Sequence, residues 1–246
     1  MWSKTFKHIK FFFLLFSAAI NAEYQITVLA TNISNFGGFG EWSFSALYES
    51  DNESILFDTG FHEDTVLHNA KVLNKDLSKV NKVVLSHFHS DHTGGLIKLR
   101  KTFKDINKDA FSKVYVARGF FDQRYKKDGT KEGPGNFDDS LEFKKVAEEE
   151  GIKFIILDDY KMVAKNIYAT GTVDRKIEYY NGPKGLYIDK EFKVPDIIKD
   201  DQSVGMLTDK GWIMMSGCGH SGIINTAKKL QEIKDVPVYG LSLIHI

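Results

Sequence analysis

The apolar positions of this chain change period several times, and each change marks an element. "YQITVLA" (24–30) alternates and predicts a strand, and the Gly-rich "NISNFGGFG" after it predicts a loop. "WSFSALYES" and "ESILFDTG" read as two strands of a hairpin around "SDNE". In "HEDTVLHNAKVLN" the period becomes helical, with Val66, Leu67, Ala70 and Leu73 on one face. "NKVVLSH" is a short β-branched buried strand, and "TGGLIKLRKTF" a helix. A strand ("KVYVA"), a polar segment over 126–139, a helix ("SLEFKKVAEEEG") and a strand ("KFIILDD") follow. After a loop-rich stretch to Asp201, "SVGMLT" and "GWIMMSG" predict a second hairpin. "SGIINTAKKLQEI" predicts an amphipathic helix, and "VPVYG" one more strand. Hairpins, then strand–helix alternation, with the order repeated once, predict a layered mixed α/β domain rather than a doubly wound parallel sheet. The polar stretch 119–139 reads as a surface loop near a site.

The first 22 residues break this pattern. Lys4, Lys7 and Lys10 precede an unbroken apolar run, and small Ala22 follows it. That arrangement predicts a signal peptide over 1–22 and an exported chain, with an N-terminal anchor as the alternative. The run is about half of the roughly 20 residues that a membrane span needs. Charge and composition add less. Among 246 residues, 33 are basic and 33 acidic, which points to neither a nucleic-acid partner nor a polybasic membrane contact. Removing three lysines with the leader leaves about −3. Cys218 is the single cysteine, so no internal disulfide forms.

The chemistry concentrates in "KVVLSHFHSDHTGGL". His87 and His89 are expected at a strand end, with Asp91 and His92 where the chain turns into a helix. Imidazole nitrogens and a carboxylate are ligands that a zinc-type ion prefers, and four in six residues can hold one metal or share two. The competing reading is a polar loop with scattered histidines. No G-x-S-x-G and no G-x-x-x-x-G-K pattern occurs, so water-based metal hydrolysis is the economical chemistry. A metal there would be expected to lower the pKa of a bound water from about 15.7 toward 7, with Asp91 as the candidate to ligate and orient that water.

"HFHSDHTGGL" and the upstream "ILFDTG" resemble the signatures of the metallo-β-lactamase-fold hydrolases. "MMSGCGHSGIINT" resembles a segment of a subgroup, the dihydropterin-ribofuranosylaminobenzene-phosphate synthase-like proteins. The resemblance runs from about Tyr24 to Gly240 and implies a four-layer αββα sandwich with metals at one sheet edge. It implies His87, His89 and His220 on the first metal and Asp91 and His92 on the second, with one or two divalent ions, zinc before iron or manganese. Cys218 falls near a bridging aspartate of many members. It is read first as a small buried residue in a tight turn, and second as a ligand or a support for one. Asp58 is expected to orient a ligand. Asp200 and Asp201 either line the site or form a solvated turn. His62 and His68 are expected to be structural or solvated.

These readings imply a domain over 23–240 and an exported metal-dependent hydrolase acting on a small-molecule substrate. A pterin-pathway synthase and a non-catalytic metal-binding or sensing protein are the alternatives. No nucleic-acid partner and no membrane span after cleavage are expected. "LSLIHI" (241–246) does not continue the family pattern and reads as non-native read-through of a truncated end, which would make the apparent fit of His245 as a last ligand accidental; the alternative is a genuine divergent end with His245 as that ligand.

Overall fold

The structure, a computed structural model, describes residues 24–50 and 53–243. The expected leader, the tip of the first hairpin and His245 lie outside those residues. The first sheet holds β1 (Gln25–Ala30), β2 (Ser45–Glu49), β3 (Ser54–Phe57), β4 (Lys82–Val84), β5 (Lys113–Ala117) and, past the small sheet below, β8 (Lys153–Leu157), in that order. β1 to β3 are antiparallel neighbours, whereas β3, β4, β5 and β8 are parallel. The second sheet holds β9 (Lys161–Ala164), β10 (Ile167–Ala169), β12 (Ser203–Thr208), β13 (Gly211–Ser216) and β14 (Val238–Ser242). Leu241 and Ser242 thus continue β14, pairing with Met214 and Met215. The polar stretch expected as a loop carries a small third sheet of β6 (Arg124–Lys126) and β7 (Lys131–Glu132), joined by β11 (Leu186–Tyr187).

The helices are α1 (Thr65–Val72), α2 (Ser90–Thr93), α3 (Leu96–Phe103), α4 (Ser140–Glu149) and α5 (Ile223–Ile233). Strand alternation assigns the core. Leu47 pairs with Leu56, and together with Val83 they meet Val66, Leu99 and Phe143 of the helices. Tyr48 pairs with Ile55 on the opposite face, which packs on Val163, Val204 and Met215 of the second sheet. Trp212 and Met214, on the outer face of that sheet, pack on Leu230 of α5. Packing therefore runs helices, sheet, sheet, helix. The run "KVYVA" is apolar on both faces because both are covered. Leu73, expected on the buried face of α1, is 38% exposed because the helix stops at Val72. Among the described residues, no helix is long and apolar enough to cross a membrane.

The two sheets are joined where the candidate site sits. Gln202, just before β12, donates from its backbone to Ser86 O (2.8 Å) and from its side chain to Leu85 O (2.9 Å) and Tyr115 O (3.2 Å). Asp58 follows β3, His87 follows β4 and Cys218 follows β13, so strand ends from both sheets deliver their side chains to one edge.

Candidate metal centre

Two loops are sewn together before any ligand is placed. Thr59 N donates to His92 O (2.7 Å), Thr59 Oγ1 to the same oxygen (3.1 Å), and Gly94 N to Gly60 O (2.9 Å). Between them Asp58, wholly buried and at φ +57°, accepts from Ser86 N (2.6 Å) and faces Nδ1 of His92 at 2.7 Å. A positive φ at an aspartate is uncommon, and this one aims the carboxylate inward. Asp58 and Asp91 outweigh burial and raise the pKa of His92 well above that of free histidine.

The histidines do not stand on the strand. β4 ends at Val84, and His87 and His89 occupy the turn after it, with His89 at the N-cap of α2 and Asp91 and His92 inside α2. The turn brings the two rings together on one side, Nε2 of His87 lying 2.8 Å from Nδ1 of His89. His220 arrives from the start of the α5 segment, its ring centroid 4.8 Å from that of His87 and 5.3 Å from that of His89. His87, Cys218 and His220 offer three ligand atoms within 4.8 Å of one another, as do Asp91, His92 and Cys218. Cys218 thus belongs to both groups. It is only partly buried and lines the cleft described below, a correction to the reading of a small residue buried in a turn. Its thiol is 3.2 Å from Nε2 of His92, and burial raises its pKa.

These donors suit a divalent cation. Burial, and then the neighbouring histidines, hold His87 well below the ordinary imidazole value. Burial also lowers His89 to about 4 and His220 to about 3. Three imidazoles are therefore neutral at physiological pH, as ligation requires. Nε2 of His220 is buried without a hydrogen-bond partner, an unsatisfied group that a cation would satisfy.

Asp200 and Asp201 are fully buried and form no solvated turn. Burial pushes them up to about 6 and about 7. Asp200 takes the guanidinium of Arg124 (2.6 Å) and Phe88 N (2.8 Å), so it anchors the residue between the two histidines. His62 is exposed, and His68 stacks on Phe39 at 3.8 Å, so neither joins the cluster.

The cluster opens into a cleft of about 980 Å³, lined among others by Trp42, Phe61, Lys127, Tyr180 and Lys184. Tyr180 escaped the sequence reading because it sits in a loop without period. Its ring lies 4.8 Å from His220. Asn225 of α5 fixes that loop by accepting from Ile177 N (2.9 Å) and donating to Glu178 O (2.8 Å). Burial, and then Cys218, raise the pKa of Tyr180, keeping its hydroxyl protonated.

Residues 43–108, which carry Asp58 and the four clustered candidate ligands, match the family model of the metallo-beta-lactamase superfamily. The chain is also 33% identical over 222 residues to the uncharacterized protein MJ0448 of Methanocaldococcus jannaschii, covering 86% of this chain and 77% of that one. The chain belongs to the metallo-beta-lactamase superfamily. It is 30% identical over 186 residues to a 7,8-dihydropterin-6-methyl-4-(beta-D-ribofuranosyl)-aminobenzene-5'-phosphate synthase of the same organism. That match covers 74% of this chain but spans only 61% of the synthase's length. Among solved structures, Tm1679, a metal-dependent hydrolase of the beta-lactamase superfamily, superposes with a TM-score of 0.64 and 27% identity. That superposition covers 85% of this chain and 72% of Tm1679.

Close packing accounts for two glycines at the site. A Cβ on Gly94 would stand 1.8 Å from Phe61 O, so the "HTGG" turn closes on the "FDTG" loop only without one. A Cβ on Gly217 would stand 2.5 Å from Ser86 Oγ and 3.2 Å from Cε1 of His92. Gly217→Ala is expected to destabilise the protein by about 1–3 kcal/mol through overpacking, read as a shift in the denaturant midpoint. An unchanged midpoint would show that Ser86 moves aside freely.

Proposed function

We propose that this chain is a metal-dependent hydrolase acting on an acyl or phosphoryl centre of a small molecule, with one or two divalent ions, zinc before iron or manganese. The observation that carries this reading is the cluster of neutral imidazoles, with Nε2 of His220 unsatisfied, at the floor of an open cleft. His87, His89 and His220 would hold one ion, and Asp91 and His92 the other, with Cys218 between them. A divalent ion held there supplies Lewis acidity and an acidified water at neutral pH. Asp91, on the cleft wall, accepts a proton from the attacking water and orients it. Tyr180 keeps its proton and donates to a substrate oxygen over His220. Lys127 and Lys184 on the rim favour a substrate carrying negative charge, whereas Lys126 is engaged by Glu132 at 2.6 Å. We further propose that residues 1–22 export the chain.

The test is elemental analysis followed by turnover of ester, lactam and phosphodiester substrates before and after chelation. At least one equivalent of metal and chelator-sensitive turnover are expected. A His89→Ala protein that turns over the panel as well as wild type overturns the reading. The synthase relative favours a second reading, a bond-forming enzyme of pterin chemistry. Silence on the hydrolytic panel, with joining of a ribofuranosylaminobenzene phosphate to a dihydropterin that loses a leaving group from its 6-methyl carbon, distinguishes it.

A further inference from the structure

One polar atom at the centre has no partner and no role in the reading so far. Asp201 is wholly buried. Its Oδ2 accepts from Ser221 N (2.7 Å), and its backbone oxygen accepts from Ser221 Oγ (3.0 Å). Its Oδ1 is buried with no hydrogen-bond partner and lies 3.9 Å from Nδ1 of His87. A buried acceptor left unmade costs about 1–3 kcal/mol, so it is kept for a reason.

His87 supplies the reason. Its Nε2 faces the cluster, and its Nδ1 faces Ser86 Oγ at 2.9 Å. To ligate through Nε2, the ring must carry its proton on Nδ1. A serine hydroxyl donates or accepts equally well, so Ser86 does not choose between the tautomers. An ionised carboxylate only accepts, so a carboxylate beside Nδ1 does choose. The same carboxylate holds Ser221, the residue after His220. One side chain therefore touches the support of two ligands that lie 133 positions apart, on the ends of β4 and β13.

We propose that Asp201 is the positioning residue of the first metal site: the negative charge at Oδ1, 3.9 Å from Nδ1 of His87, favours the tautomer protonated at Nδ1, while Oδ2 and the backbone oxygen fix the turn that carries His220. This rests on the metal-centre reading above.

The test compares wild type with Asp201→Asn, of the same shape, by competing zinc against a chromophoric chelator. In the variant the amide oxygen keeps the Ser221 bond, which turns the amide N–H toward Nδ1 and favours the wrong tautomer. Zinc affinity of the first site should fall about 10–100-fold. The metal-free melting temperature should not fall, since a buried charge is removed, not a packed group. Long-range ¹H–¹⁵N spectra of the zinc-loaded proteins should show His87 protonated at Nδ1 in wild type and altered in the variant, a signature that lost packing would not produce. Ser221→Ala, which keeps the backbone bond to Oδ2, should cost less than threefold. Wild type that binds zinc, with a variant matching its affinity and His87 tautomer, overturns the role of Asp201 alone. Wild type that binds no zinc overturns both this role and the metal-centre reading. A variant whose affinity and metal-free melting temperature fall together, with the tautomer unchanged, overturns the proposal in favour of a packing role.

Discussion

Arg124→Met is expected to lower the stability of the metal-free protein by about 3–5 kcal/mol, the cost of breaking a buried ion pair from one side. The guanidinium is 2% exposed and bonds to Asp196 (2.9 Å), Asp200 (2.6 Å) and the carbonyls of Phe120 (3.0 Å) and Asp122 (2.6 Å). It also lies 3.8 Å over the ring of Phe88. Methionine fills much of the space but leaves two buried carboxylates facing each other. A domain of ordinary stability has about 5–15 kcal/mol to lose, so the variant sits near its unfolding threshold. The damage is also directed, because Asp200 holds Phe88 N, and Phe88 lies between His87 and His89. Zinc binding should therefore weaken even under conditions where the variant stays folded. Urea titration reads the first effect and chelator competition the second. Adding Asp196→Asn and Asp200→Asn to Arg124→Met should recover part of the loss, since no charge then remains buried. A single-variant loss below about 1 kcal/mol, the size of an exposed pair, would mean that the network is solvated in solution.

That network also marks where sequence reading stopped. The four candidate ligands of the "HFHSDH" stretch were legible as candidates because they fall within six residues, and local spacing needs no fold to interpret it. Their exact support was not, since β4 ends three residues before His87. His220 was legible only by resemblance, because nothing in its surroundings ties it to a turn after β4. Asp200 and Asp201 look like turn chemistry in isolation. Their burial depends on Arg124, 76 positions before Asp200, and on Ser221, 20 after Asp201. The alternatives for Cys218 stayed open for the same reason, since its two groups of candidate ligand atoms exist only when α2 and the end of β13 meet. Most strands of the two main sheets followed from apolar period, but β9 and β10, three or four residues long, were passed over. The third sheet did not, since strands of two or three residues in a polar segment fall below any periodic signal.

Between pH 7 and 8 a first metal held by His87, His89 and His220 alone is expected to bind with nearly constant affinity, whereas a second held by Asp91, His92 and Cys218 gains up to about 10–100-fold per unit. The sign follows from which ligands still carry protons. His89 at about 4 and His220 at about 3 are neutral throughout, as is His87, held low by burial. Asp201, at about 7, releases at most half a proton to solvent when the first metal binds in this window, a change of about twofold in affinity. The second group differs. His92 is raised by Asp58 and Asp91, and the thiol of Cys218 is raised by burial, so each must lose a proton to ligate. Falling proton concentration therefore tightens the second site, tenfold per unit for each proton released. The slope counts those protons: a hundredfold gain means that both His92 and Cys218 give up a proton, and a tenfold gain means that one of them does. Cys218→Ser separates the cases, for it should reduce a hundredfold gain to about tenfold and leave a tenfold gain unchanged where the proton is that of His92. Stepwise zinc titration against a chelator at pH 7.0, 7.5 and 8.0, with proton release followed in weak buffer, reads both sites at once. A second-site affinity that does not rise with pH would show that the Asp91–His92–Cys218 group is not where the second ion binds.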